Sequence, residues 1–229
     1  MTRTLSDSVT SLPEGTARRA QTNGYVLPQW AVELLRPGVR LLGWALWGLK
    51  FSGIENIPAK DGLIIAANHQ SYIDPFMISI PIKRPIRFLA WNVAMGWPLI
   101  GKVLMLLGAW PLQLEGGDPA AIRRSLQWLR AGEAIMIFPE GGRGKPDGSM
   151  IRFKAGAVRI ALEAKVPILP VTIRGANRVW PSGKRVPRLG RIEIVYHPLF
   201  HPEQREGEDS RACAQRETEE LAAIIREAL

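Results

Sequence analysis

From residue 51 onward, short apolar runs alternate with segments of helical character, and this alternation constrains the fold more than any other feature. The strand-like runs are residues 63–67, 86–90, 134–138, 168–173 and 192–196. The helix-like segments are residues 72–80, 99–107, 118–130, 153–165 and 217–229. Such alternation is typical of α/β domains. The sequence therefore predicts one α/β domain over residues 51–229, with a central mixed sheet flanked by helices.

Residues 25–50 form an apolar segment that precedes this domain. Pro37-Gly38 interrupts it, which predicts two short helices arranged as a hairpin. Trp44 and Trp47 lie between two bases, a pattern that suits the membrane interface but also a buried core helix. Residues 1–24 are polar, lack the apolar core of a signal peptide and are expected to be a disordered tail. No apolar run reaches the length of about 20 residues that a membrane span needs.

The net charge of +9 is unevenly distributed over the 229 residues. Residues 143–191 contain twelve Lys or Arg and two acids, whereas residues 203–229 contain eight acids and four bases. A basic region of this kind attracts nucleic acid, an anionic membrane or a phosphorylated substrate. The single cysteine, Cys213, excludes a disulfide scaffold and makes a cytosol-facing location the default. With three scattered histidines, no metal site is expected.

The segment Asn68-His-Gln-Ser-Tyr-Ile-Asp74 directly follows the strand predicted at 63–67. Ligands of α/β sheets bind at the carboxyl ends of strands. The Asp74 carboxylate can accept a hydrogen bond from one imidazole nitrogen of His69, which leaves the other nitrogen to take a proton from a hydroxyl. The alternative is structural, because Ser71 and Asp74 also have the spacing of a helix capping box.

A glycine-rich segment, Phe138-Pro-Glu-Gly-Gly-Arg-Gly144, follows another predicted strand. Its glycines let backbone amides approach an anion, and Arg143 can bind a phosphate in bidentate fashion. Glu140 can orient an arginine or a substrate hydroxyl. The alternative is a surface turn. A nucleotide-binding P-loop is excluded, because Pro139 and Pro146 stand where that motif needs glycine and Ser or Thr.

Together, the two motifs resemble the glycerolipid acyltransferase family, whose bacterial members include 1-acylglycerol-3-phosphate acyltransferases. The first family block, Asn-His-x-Ser-x-x-Asp, matches residues 68–74. The third block, Phe-Pro-Glu-Gly-Thr-Arg, matches residues 138–143 except for Gly142 in place of threonine. A later Val-Pro-Ile-x-Pro-Val block matches residues 166–171. The family also has an N-terminal helical hairpin that docks on the membrane, and residues 28–50 are similar to one.

The resemblance implies that His69 and Asp74 are the catalytic pair of an O-acyltransferase. The fatty acyl group would pass from acyl-CoA or acyl-carrier protein to a lysolipid hydroxyl, most simply that of 1-acylglycerol-3-phosphate, giving phosphatidate in phospholipid synthesis. The residues expected to bind substrates are Asn68, Ser71, Glu140, Gly141, Gly142 and Arg143. No metal or cofactor is implied. The expected location is peripheral or monotopic, on the cytoplasmic face of a membrane.

The second family block departs from the pattern at two positions. Trp91 and Leu114 replace a lysine and an arginine that, in the family, help to hold the acceptor's phosphate. Lys83, Arg84 or Arg87 could compensate for them. The departure leaves open an acceptor with a different head group, such as a lyso-ornithine lipid.

Two further classes compete with an acyltransferase. A non-enzymatic lipid-binding protein with a decayed site is disfavoured by intact His69 and Asp74. A nucleic-acid binder is disfavoured because residues 143–191 contain only Phe153 and Trp180 as stacking aromatics. The apolar residues 93–112 predict either an acyl-chain tunnel or ordinary core packing.

Overall fold

The computed structural model describes residues 29–91, 109–112, 119–181 and 186–229. Among these residues the strands are β1 (Lys50–Ser52), β2 (Leu63–Ala67), β3 (Ile86–Trp91), β4 (Ala109–Leu112), β5 (Ala134–Ile137), β6 (Ile168–Arg174) and β7 (Glu193–Tyr196). The α-helices are α1 (Gln29–Trp47), α2 (Asp74–Ser79), α3 (Pro119–Arg130), α4 (Gly156–Ala164), α5 (Ala176–Val179) and α6 (Ser210–Glu227). The α/β architecture is therefore confirmed. The tail predicted at 1–24 and the helix predicted at 99–107 lie outside the described residues.

The strands form one mixed sheet in the order β1-β7-β6-β2-β5-β3-β4. Strands β2 to β6 run parallel to one another. β7 is antiparallel to β6, and β1 is parallel to β7. As a result, β1 and β7 begin at the edge of the sheet where the five parallel strands end.

The central strand β2 separates two hydrophobic cores. All five of its residues are buried, as expected for a parallel strand covered on both faces. Leu63, Ile65 and Ala67 contribute to the core shared with α2 and α5. Ile64 and Ala66 contribute to the core shared with α3, α4 and α6. This alternation follows from the two-residue period of a strand.

The structure corrects the division predicted at Pro37-Gly38. A single helix, α1, runs through Pro37. The missing proline N–H costs one hydrogen bond to the carbonyl four residues earlier, but hydrogen bonds from Arg36 and Trp47 anchor the helix on the two sides of Pro37. Arg36 Nη1 donates to the carbonyls of Ile80 and Ile82, both at 2.7 Å. No helix of the described residues has the length and hydropathy to cross a membrane.

Candidate active site

The two sequence motifs lie side by side at the carboxyl edge of the sheet. Residues 68–74 leave the end of β2, and residues 138–144 leave the end of β5. These two strands are neighbours, with Ala66 opposite Ile137. Two segments about 70 residues apart in the chain therefore meet at the sheet edge where ligands of α/β proteins bind.

His69 and Asp74 form a hydrogen-bonded pair. Nδ1 of His69 lies 2.9 Å from Oδ2 of Asp74. The side chain of His69 is 19% exposed, and the side chain of Asp74 is fully buried. A carboxylate only accepts hydrogen bonds, so a neutral imidazole in this position has its proton on Nδ1 and a lone pair on Nε2. This is the arrangement of a general base oriented by a carboxylate.

The same oxygen of Asp74 also accepts two backbone hydrogen bonds, from Gln70 N at 2.6 Å and Ser71 N at 2.7 Å. One of the two hydrogen bonds of a capping box is therefore present, the one from the Ser71 backbone N–H to the Asp74 side chain. The second bond of that motif is absent, because the Asp74 backbone N–H donates to the Ser71 carbonyl at 3.3 Å and not to the Ser71 hydroxyl, which itself donates to the Trp180 carbonyl at 3.1 Å. Oδ2 of Asp74 thus both fixes the turn and orients the histidine.

Glu140 ties the two motifs together. Its Oε1 accepts from the backbone N–H of His69 and its Oε2 from that of Ile151, each at 2.8 Å. Burial raises the pKa of Glu140, while these two backbone donors act to lower it. The carbonyl of His69 accepts from Gly144 N at 2.7 Å. The imidazole stacks on Phe138 with ring centroids 4.1 Å apart.

Asn68 locks the end of β2 to β6. Its side-chain nitrogen donates to the Ile173 carbonyl at 2.9 Å, and its oxygen accepts from Ile173 N at 2.7 Å. Asn68 and Ser71 are both fully buried. Their polar groups bond to backbone, as do those of Glu140, so these three residues shape the loop that carries His69. Their predicted substrate-binding role stays a prediction.

Arg143 lies over an aromatic ring beside the histidine motif. Its Cζ atom is 3.8 Å from the centroid of the Tyr72 ring, a cation–π contact. Its Nη1 is buried and has no hydrogen-bond partner among the described residues. A buried guanidinium donor left without an acceptor favours an anionic ligand at this position.

The two adjacent glycines of the second motif differ. Gly141 has φ +68°, and a Cβ atom added there would lie 2.8 Å from Lys154 Nζ. Gly142 is exposed, and an added Cβ would meet nothing within 4 Å. Lys154 therefore brings a further cation to the loop. The sequence indicated it only as a member of the basic region 143–191.

Comparisons with known proteins identify the family of this chain. The family model described as Acyltransferase matches residues 48–174. The chain is 30% identical to a 1-acyl-sn-glycerol-3-phosphate acyltransferase of Bacillus subtilis over 155 residues, which covers 67% of this chain and 74% of the relative. It is 27% identical to the chloroplastic 1-acyl-sn-glycerol-3-phosphate acyltransferase LPAT1 of Arabidopsis thaliana, covering 69% of this chain and 45% of the relative. The chain thus spans less than half of that plant protein.

A solved structure has the same fold. The crystal structure of the 1-acyl-sn-glycerophosphate acyltransferase PlsC from Thermotoga maritima matches with a TM-score of 0.67 and 24% sequence identity. The match covers 94% of this chain and 88% of that chain.

Proposed function

The chain belongs to the acyltransferase family, and on this premise we propose that it transfers a fatty acyl group from a thioester to the hydroxyl of 1-acylglycerol-3-phosphate, giving phosphatidate. The observation that carries the proposal is the pair of His69 and Asp74, joined at 2.9 Å where β2 ends. The donor is acyl-CoA or acyl-carrier protein.

The transfer is direct. His69 Nε2 takes the proton of the acceptor hydroxyl as its oxygen attacks the thioester carbonyl. The resulting imidazolium is stabilised by the Asp74 carboxylate. When the carbon–sulfur bond breaks, the leaving thiolate takes that proton, and the products are an ester and a free thiol. A general base of this kind contributes a factor of about 10² to 10⁴ to the rate.

Arg143 is the proposed contact for the acceptor's phosphate. Its buried and unpartnered Nη1 supports this role, because a guanidinium binds phosphate oxygens through paired N–H donors. Lysine keeps the charge but loses the planar fork. Arg143→Lys should therefore raise the KM for the phosphorylated acceptor by more than it lowers kcat.

A different lysolipid is the second candidate acceptor. Trp91, the last residue of β3, stands where the family has a lysine. Leu114, the other departure, lies outside the described residues. If these positions mark a changed head-group site, a lyso-ornithine lipid or another lysophospholipid should be the better acceptor.

Helix α1 is proposed to lie on the membrane surface from which the acceptor comes. Its exposed side chains include Trp30 at 70%, Leu34 at 73% and Trp44 at 64%. Large apolar side chains clustered in this way on one element mark an interaction surface. Substituting Leu34 and Trp44 with serine should reduce flotation with phospholipid vesicles.

The test is acyl transfer from radiolabelled palmitoyl-CoA and palmitoyl-carrier protein to a panel of lysolipids. The wild type should label lysophosphatidate, and His69→Ala should abolish labelling while remaining folded. His201→Ala is the matched control, because His201 is exposed and outside the site. Equal labelling by wild type and His69→Ala would refute the mechanism. Labelling of only another lysolipid would refute the proposed acceptor and leave the chemistry intact.

A further inference from the structure

The loop of residues 186–191, which precedes β7, carries large apolar side chains in solvent. Val186 is 70% exposed and Leu189 is 77% exposed, the highest value among the large apolar side chains of the described residues. Exposure of this degree costs free energy in water, since burying a leucine side chain contributes about 1.5–3 kcal/mol. Exposed apolar side chains beside an exposed apolar helix indicate a surface that a partner covers.

Two hydrogen bonds fix this loop against the C-terminal end of α1. Trp47 Nε1 donates to the carbonyl of Arg188 at 3.1 Å. Ile192 N donates to the Trp47 carbonyl at 2.9 Å. The loop is therefore a neighbour of the helix end whose residues Leu41 and Trp44 are each 64% exposed.

The charges around the loop are positive. Arg188 and Arg191 are exposed, as is Lys50 at the start of β1. Residues 186–191 contain no acid, and the next acid along the chain, Glu193, is paired with Arg174 at 2.9 Å. Exposed apolar side chains with flanking arginines complement a bilayer with anionic head groups.

The loop is also connected to the active site through α5. Arg188 N donates to the carbonyl of Val179 at 2.8 Å. The next carbonyl, that of Trp180, accepts from the hydroxyl of Ser71 in the histidine motif. The loop and His69 therefore lie at the same edge of the sheet.

We propose that residues 186–191 are a second membrane-contact segment, in which Leu189 and Val186 insert into the head-group region while Arg188 and Arg191 bind anionic lipid phosphates. The inference extends the membrane-surface part of the proposed function, on which it rests. It adds a contact distant in sequence from α1.

The location is tested with a fluorescent probe on the full chain. Cys213 is fully buried, so a thiol-reactive NBD probe can be directed to Leu189→Cys. Ile122→Cys is the matched control, because Ile122 is 43% exposed on α3, which packs on the other face of the sheet. With vesicles containing phosphatidylglycerol, NBD emission should shift to the blue at position 189 and stay unchanged at 122. An unchanged spectrum at 189 while the protein floats with the vesicles overturns the proposal.

The lipid-phosphate contacts are tested by charge removal. Each basic residue near an anionic surface contributes about fivefold to partitioning, so Arg188→Gln with Arg191→Gln should weaken vesicle binding about 25-fold. Arg123→Gln with Arg159→Gln removes the same charge from exposed positions on α3 and α4. Equal weakening by the two pairs overturns the proposal. If the first pair slows transfer from acyl-carrier protein and leaves vesicle binding unchanged, the loop instead binds an acidic protein.

Vesicle binding needs no turnover, so the two proposals can fail separately. His69→Ala should float and shift the probe as the wild type does. A protein that inserts the loop but acylates no lysolipid would refute the proposed function alone. A protein that acylates lysophosphatidate without loop insertion would refute only the second membrane contact.

Discussion

Replacing Asp74 with asparagine separates the orienting role of this carboxylate from its charge. Asparagine has nearly the same shape, and its side-chain oxygen can still accept from His69 Nδ1 and from the backbone N–H groups of Gln70 and Ser71. The turn and the ring orientation should therefore survive. The negative charge that stabilises the imidazolium in the transition state is lost.

The size of the effect follows from the distance and the burial. The Nδ1–Oδ2 distance of 2.9 Å separates the centres of the two charges by about 4 Å. At an effective dielectric constant of about 20 this attraction is about 4 kcal/mol. The asparagine dipole retains part of it, so a loss of about 3 kcal/mol is expected. Asp74→Asn should therefore lower kcat/KM by about 10²-fold.

The measurement is thiol release from palmitoyl-CoA with lysophosphatidate as acceptor. Because Oδ1 of Asp74 is buried without a partner, the new amide group costs about 1–3 kcal/mol of stability. The assay is therefore run well below the melting temperature of the variant. If Asp74 acts through His69, adding Asp74→Asn to His69→Ala should cause little further loss. Activity of Asp74→Asn within threefold of wild type would refute the reasoning.

Three other substitutions test separate parts of the structure. Glu140→Gln should lower the melting temperature by several degrees and reduce kcat, because one buried backbone N–H then faces an amide group at a cost of about 1–3 kcal/mol. Gly142→Thr, which restores the family residue, should leave activity within about twofold, since nothing lies within 4 Å of an added Cβ. Hydrogen bonds from Arg216 lower the pKa of Glu208 to about 2, so the stability this pair contributes is present above pH 4.5 and lost as the pH falls to about 2. In Arg216→Gln, the free energy of unfolding should therefore fall less steeply as the pH is lowered over that range.

Each of these predictions has its own control. Gly141→Ala should destabilise the loop where Gly142→Thr does not, because Gly141 has a positive φ and lies against Lys154. Equal effects of the two glycine substitutions would contradict the assignment. For Glu140, a melting temperature unchanged in the glutamine variant would show that its two hydrogen bonds are dispensable. If the free energy of unfolding of Arg216→Gln falls with acid as steeply as that of the wild type, this ion pair contributes no pH-dependent stability.

The sequence predicted best those elements whose pattern of apolar residues follows directly from burial in the core. β2 was found at its observed bounds because a strand buried on both faces is apolar throughout. The short strands β1 and β4 were missed. The last helix begins at Ser210 rather than at residue 217, because the Asp209 side chain caps it by accepting from two backbone N–H groups. Helix α1 continues through Pro37 and is anchored by Arg36 to the carbonyls of Ile80 and Ile82, contacts far along the chain that local propensity cannot show.

For the site, the adjacency of the two motifs could be predicted, but not the way they are joined. Both motifs follow strands, and strand ends meet at one edge of an α/β sheet. Glu140, however, bonds to the backbone of His69, and no sequence pattern marks a carboxylate that accepts from a distant amide. The cation–π contact between Tyr72 and Arg143 depends equally on the packing of two loops.

The direction of two strands explains why the proposed membrane contacts and the histidine lie at the same edge. In a wholly parallel sheet, the segments that precede β1 and β7 would enter at the amino edge, opposite the site. Because β7 is antiparallel to β6 and β1 is parallel to β7, α1 and residues 186–191 instead enter at the carboxyl edge, on the β6 side of β2. The proposed contact of α1 with a membrane would therefore lie at the edge of the sheet that carries His69. The reversed direction of β7 and β1 thus places the proposed membrane contacts and His69 at one edge of the sheet.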